Sequence, residues 1–174
     1  MNGKLFTLQK QLKMPRLETI FVVEDDILYL NLINKELEKM GYSNVKSFST
    51  GKEAIHNLDS KPDVALLDYF LEKDFTGMDI LKKLRQRFPD TQVIFLTGSD
   101  DVNIAVDTMR NGAYDYIVKG DTAFIRIRHL LKKISEENDR KAKSRSIIRF
   151  QIIVIIAIIM ISLLGILYFH YFIN

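Results

Sequence analysis

The chain has 174 residues, of which 47% are hydrophobic and 27% charged, and it has no cysteine. This composition excludes a mainly disordered chain, a disulfide framework, a cysteine zinc site and thiol catalysis. The net charge of +3 conceals a polarity: residues 1–125 hold 16 Lys/Arg against 19 Asp/Glu, residues 126–149 hold nine against three, and residues 150–174 hold none of either. The three histidines (His56, His129, His170) are too scattered for a histidine-rich metal centre.

Residues 1–17 show no clean period and read as an N-terminal arm, with Met14 a second candidate start. Alternation of elements begins at residue 18. The apolar run Ile20–Val23 predicts a buried strand. Leu28, Leu32, Ile33, Leu37 and Met40 recur at helical spacing, and Gly41 closes that helix. Val45–Ser49 alternates polar and apolar, as an edge strand does. Gly51–Leu58 predicts a short helix and Val64–Leu67 a second buried strand. Met78, Leu81, Leu84 and Phe88 line a helix ended by Pro89. Val93–Leu96 predicts a third buried strand. Val102, Ala105, Val106 and Met109 form a helix closed by Asn111-Gly112. Tyr116–Val118 predicts the last strand, and Phe124, Ile127, Leu130, Leu131 and Ile134 line a final helix.

Five strands alternating with five helices predict a doubly wound parallel α/β sheet. Continuous apolar runs mark strands covered on both faces. The alternating second strand belongs at an edge, which agrees with the flavodoxin-like order 2-1-3-4-5. The expected organisation is an arm (1–17), an α/β domain (18–135), a basic juxtamembrane linker (136–149) and one C-terminal transmembrane helix (150–173). The tail from Ile152 to Phe169 is interrupted only by Ser162 and Gly165. A helix spanning a bilayer needs roughly 17–25 such residues. The basic residues precede the span, so the positive-inside rule predicts a single-pass protein with residues 1–149 in the cytoplasm. The same residues attract anionic lipid headgroups.

Ligands of such sheets bind outside the carboxyl ends of the strands. There the first strand ends in Glu24-Asp25-Asp26, the third in Asp68, the fourth in Thr97 and the fifth in Lys119. Acids converging from neighbouring strands repel one another and call for a cation. An all-oxygen set suits Mg²⁺ or Mn²⁺. With a lysine and a hydroxyl opposite, the set suits phosphoryl transfer onto a carboxylate, Asp68 being the nucleophile. A phosphate-binding loop at Gly51-Lys52 fails, because Lys46 stands where glycine is needed and Glu53 where Ser or Thr is needed. A haloacid dehalogenase-type phosphatase needs a second aspartate where Phe70 stands.

IFVVEDD, VALLDYFL, VIFLTG and GAYDYIVK stand in order and at spacings that resemble the receiver domain of bacterial two-component response regulators. The resemblance implies Asp68 as phospho-acceptor. It implies Glu24, Asp25, Asp68 and the Phe70 main-chain carbonyl as Mg²⁺ contacts, with Asp26 the second acid if the register slips by one. It implies Thr97 and Lys119 as the hydroxyl and lysine of the site, and Tyr116 as the aromatic switch that turns inward when Thr97 engages the phosphoryl group. Three departures stand out: DYFLEKDFTG lacks the family's proline and places Gly77 one residue late, Gly120 replaces the proline after the lysine, and Phe70 is bulky.

The resulting expectation is a membrane-anchored single-domain response regulator at the bacterial inner membrane. It is not an enzyme beyond self-catalysed phosphotransfer and dephosphorylation. Its expected partners are a histidine kinase or phosphotransfer protein, a downstream protein, membrane lipid, and a second copy through the face of the fourth helix, fifth strand and fifth helix. Nucleic acid is not expected. The alternative is a receiver-like scaffold that docks partners at the membrane without being phosphorylated.

Overall fold

Each apolar run becomes a strand whose partners cover it on both sides. The computed structural model describes residues 17, 19–72 and 75–173. Its strands are β1 (Ile20–Val23), β2 (Val45–Phe48), β3 (Val64–Asp68), β4 (Gln92–Thr97) and β5 (Asp115–Val118). Between and after them come the helices α1 (Ile27–Lys39), α2 (Gly51–His56), α3 (Gly77–Arg87), α4 (Val102–Arg110) and α5 (Ala123–Ile173). A 3₁₀ turn, Leu58–Ser60, follows α2. The sheet is parallel in the order β2-β1-β3-β4-β5, so the expected doubly wound topology is the observed one.

β1 and β3 are buried along their whole length, whereas β2, at an edge, is buried only at Phe48. Two apolar clusters lie on opposite faces of the sheet, as the period-2 alternation of each strand requires. Ile20, Val22, Leu66 and Leu96 join Ile33 and Leu37 of α1 and Ile127 and Leu131 of α5. Phe21, Val23, Leu67 and Phe95 join Ala54 of α2 and Leu81 and Leu84 of α3. Helix ends follow local chemistry. Asp26 caps α1 by accepting from Leu28 N at 2.8 Å and Tyr29 N at 3.2 Å. Thr76 and Asp79 form a reciprocal capping box on α3. Gly41 (φ 84°) and Gly112 (φ 91°) take the left-handed conformation just past α1 and α4, which a β-carbon would disfavour.

The arm expected over residues 1–17 lies outside the described residues except for Leu17, which is buried in the cluster of α1 and α5. An apolar side chain next to β1 gains more in that cluster than in water.

The chain divides into two compact units, Met1–Ser135 and Glu136–Asn174. The second unit is helical through Ile173 and includes Arg140, Lys141, Lys143 and Arg145. Within it, Ile147–Leu167 is 21 residues long with a mean hydropathy of 3.0 and none of it buried, long and apolar enough to cross a membrane. This stretch begins three residues before the expected span, because Ile147 and Ile148 offset Arg149 and Gln151.

Candidate functional site

The sheet delivers its polar residues to one place through backbone bonds at the strand ends. Glu24 N bonds Phe48 O at 3.1 Å, Tyr69 N bonds Leu96 O at 3.1 Å and Lys119 N bonds Thr97 O at 2.7 Å. Glu24, Asp68 and Thr97 therefore follow or end strands whose register is fixed. Asp68 is 5% exposed, Glu24 and Thr97 are fully buried, and Asp25 is exposed at the rim.

Lys119 Nζ donates to Asp68 Oδ2 at 2.7 Å and to Glu24 Oε1 at 2.7 Å. From the end of β5 the lysine reaches across β4 to Asp68 on β3 and to Glu24 just after β1. Burial lowers its tendency to stay charged, but the bonds to Asp68 and Glu24 outweigh this and hold the ammonium above its usual range. Burial pushes Glu24 up to about 7; the Lys119 bond opposes the rise and the Asp68 charge adds to it. One oxygen of each acid in the set Glu24, Asp25 and Asp68 lies within 4.8 Å of the others.

The predicted Mg²⁺ site can be tested against this geometry. Glu24 Oε2 is buried and lies 2.7 Å from Lys119 Nζ. Three carboxylates held this close carry more negative charge than one ammonium offsets, and a hard cation bound by their oxygens would balance the rest. The donor set is all oxygen, and the residues fit Mg²⁺. Asp26, the alternative second acid, spends its carboxylate on the cap of α1.

The predicted switch pair lies on β4 and β5. The Thr97 hydroxyl accepts from Ser99 N at 3.2 Å. Tyr116 is half-buried, and its hydroxyl donates to Ser99 O at 2.6 Å, so the phenol is already tied to the loop after β4. Burial raises this phenol above its usual range. Phe70 has its side chain 52% exposed, and its N donates to Asp68 Oδ1 at 3.3 Å.

Two participants carry no mark in the sequence reading. Tyr29 has its ring beneath Lys119 Nζ, 4.7 Å from the ring centroid. Its only signal is its place in the first turn of α1, three residues after the capping Asp26. Arg126 donates to the Tyr116 carbonyl at 3.1 Å and pairs with Asp115 at 3.4 Å. Nothing in a run of basic residues singles it out.

A buried acid at the end of the central strand, bridged by a lysine to a second acid from the neighbouring strand, defines a receiver site. Residues 20–135 match the response regulator receiver domain, and the chain belongs to that family of phospho-acceptor signalling domains. Over 99 residues it is 35% identical to the luminescence regulatory protein LuxO of Vibrio campbellii, an alignment covering 56% of this chain and 21% of LuxO. The chain thus matches about a fifth of the length of that relative. Among solved structures it resembles the BeF3-activated receiver domain of DrrB from Thermotoga maritima, with a TM-score of 0.61 at 30% identity, covering 68% of this chain and 97% of that one. It also resembles a CheY-like receiver domain protein from Methanospirillum hungatei, with a TM-score of 0.61 at 30% identity, covering 74% and 98%.

Proposed function

We propose that this protein is a membrane-anchored receiver that accepts a phosphoryl group on Asp68 and signals by binding a partner in its phosphorylated state. The observation that carries this reading is the Lys119 bridge between Asp68 and Glu24. An Asp68 carboxylate oxygen attacks the phosphorus of a phosphohistidine on a kinase or phosphotransfer protein. The phosphorus–nitrogen bond breaks, the electron pair leaves with the imidazole, and an acyl phosphate remains on Asp68. Lys119 stabilises negative charge on the transferring group. Glu24, Asp25, Asp68 and the Phe70 carbonyl would hold Mg²⁺, which supplies further charge neutralisation to the phosphoryl oxygens.

The Thr97 hydroxyl lies at the end of the next strand and is the donor that meets the new phosphoryl oxygens. Its bond from Ser99 N and the bond from Tyr116 to Ser99 O join threonine, loop and aromatic ring in one hydrogen-bonded group. A shift of Thr97 therefore reaches Tyr116 and the surface beside it. There Val102, Val106 and Met109 of α4, Val118 of β5 and Ile125 of α5 are exposed and apolar, and this surface is the proposed contact for a downstream protein or a second copy. Ile147–Leu167 supplies the anchor, with the basic residues before it on the cytoplasmic side of a bacterial inner membrane.

The test uses the full chain in detergent micelles with Mg²⁺ and acetyl phosphate. Intact mass gains one phosphoryl group on wild type, and the gain disappears in Asp68→Asn and on chelation of the metal. No gain from acetyl phosphate or from a histidine kinase donor would replace this reading with the non-phosphorylated scaffold.

A further inference from the structure

Lys119 is held by more than the two carboxylates it bonds. Its ammonium also lies over the Tyr29 ring, at 4.7 Å from the centroid, within the range of a cation–π contact. The same ring stacks on Phe124 in the first turn of α5, with centroids 5.8 Å apart and planes 29° from parallel. The Tyr29 hydroxyl oxygen is buried and has no hydrogen-bond partner. A buried hydroxyl without a bond is destabilising, so the ring is the part of Tyr29 that contributes here. Lys119 stands at the end of β5 and is followed by Gly120, and a flexible four-carbon stem must still place its Nζ between Asp68 and Glu24. A leucine at position 29 would fill much of the same space, but it would present no negative ring face to the ammonium.

On the reading of Asp68 as phospho-acceptor, we propose that Tyr29 is a positioning residue. Its ring holds Lys119 Nζ between Asp68 and Glu24, and Phe124 holds the ring. α1 and α5 thereby share one aromatic support beneath the lysine that meets the phosphoryl group.

The experiment compares wild type, Tyr29→Phe, Tyr29→Leu and Phe124→Leu as full chains in detergent micelles. The first readout is the rate of Mg²⁺-dependent phosphoryl uptake across acetyl phosphate concentrations. The second is the proton shift of the Lys119 ε-methylene in lysine-labelled protein, assigned by its loss in Lys119→Arg. In wild type and Tyr29→Phe the ring shifts this methylene upfield, and their saturating rates agree within about twofold. In Tyr29→Leu the methylene returns to the ordinary lysine position and the saturating rate falls about fivefold, the size expected for a partly buried cation–π contact. The half-saturating donor concentration stays constant, because the contact acts on the lysine and not on the donor. Phe124→Leu falls between these limits.

A wild-type methylene at the ordinary position overturns the proposal. So does a Tyr29→Leu rate equal to wild type, or a Tyr29→Phe rate as low as that of Tyr29→Leu. Each of these leaves the acceptor reading standing provided that wild type takes up the phosphoryl group. A wild type that takes none from acetyl phosphate or a kinase overturns the acceptor reading and this role together.

Discussion

At Gly77 a single β-carbon decides whether α3 can begin where it does. A side chain there would collide with the Asp68 carbonyl oxygen and come within 2.7 Å of the Phe95 ring. Backbone and a buried ring cannot yield cheaply, so Gly77→Ala is expected to cost about 1–3 kcal/mol in chemical denaturation of the full chain. It should also slow phosphoryl uptake by displacing the end of β3. Arg85 makes a second prediction of this kind. Its guanidinium donates to the carbonyls of Gly112, Pro89 and Thr91, the shortest bonds being 2.7 Å, and burial lowers its pKa. A lysine cannot reach three carbonyls as a fork does, and Arg85→Lys is expected to cost about 2 kcal/mol with phosphoryl uptake retained. Asp68, Thr97 and Lys119 were legible in the sequence because each is the polar residue that follows or ends an apolar run. Tyr29 and Arg85 were not: Lys119 and Gly112 lie far along the chain from them, and the carbonyls that Arg85 binds nearby, of Pro89 and Thr91, are backbone groups that any residue carries.

At the scale of elements, two adjacent aspartates have been given different tasks. Asp26 caps α1, and Asp25 joins Glu24 and Asp68. Asp26→Ala is expected to lower stability by about 1 kcal/mol, with Mg²⁺ affinity nearly unchanged when titrated on the full chain. Asp25→Ala is expected to do the reverse, weakening Mg²⁺ binding with little change in the melting temperature. The Thr76–Asp79 box makes a pH prediction. The backbone bond from Thr76 holds the Asp79 carboxyl below its usual range, with the Thr76 hydroxyl adding and burial opposing. A depressed folded pKa gives stability that is present above the unfolded value, about 3.9, and is lost as pH falls through the folded one. Thermal melts of Asp79→Asn should therefore lose less stability than wild type on acidification below about pH 4. The helices and strands were legible because their periods of 3.6 and 2 write the buried face into the sequence. The short helix expected over Gly51–Leu58 ends at His56. The 3₁₀ turn Leu58–Ser60 and the left-handed Lys61 (φ 42°) that ends it carry no mark in the sequence, because one buried side chain, Leu58, sets no period.

At the scale of the whole molecule, charge and apolarity are separated along the chain: an acidic cluster in one unit, basic residues and an apolar stretch of helix in the other. On the proposed anchoring, the full chain should remain with membranes after washes in high salt and in alkaline carbonate. Salt screens the basic residues within about a Debye length but leaves the apolar helix in place. Release by salt alone would mean that the helix lies outside the bilayer and only the basic residues adhere. The open sheet has a further consequence for a protein concentrated on a surface. Its exposed edges are β2 and β5, each four residues long, and β2 carries Lys46, whose Nζ bonds Ser60 Oγ at 2.6 Å. An incoming strand would find few free amides there and would have to bury a charge. On the proposed anchoring, crowding in two dimensions would therefore favour contacts through helix surfaces over strand-to-strand polymerisation, and such neighbours would be able to separate again when the signal ends.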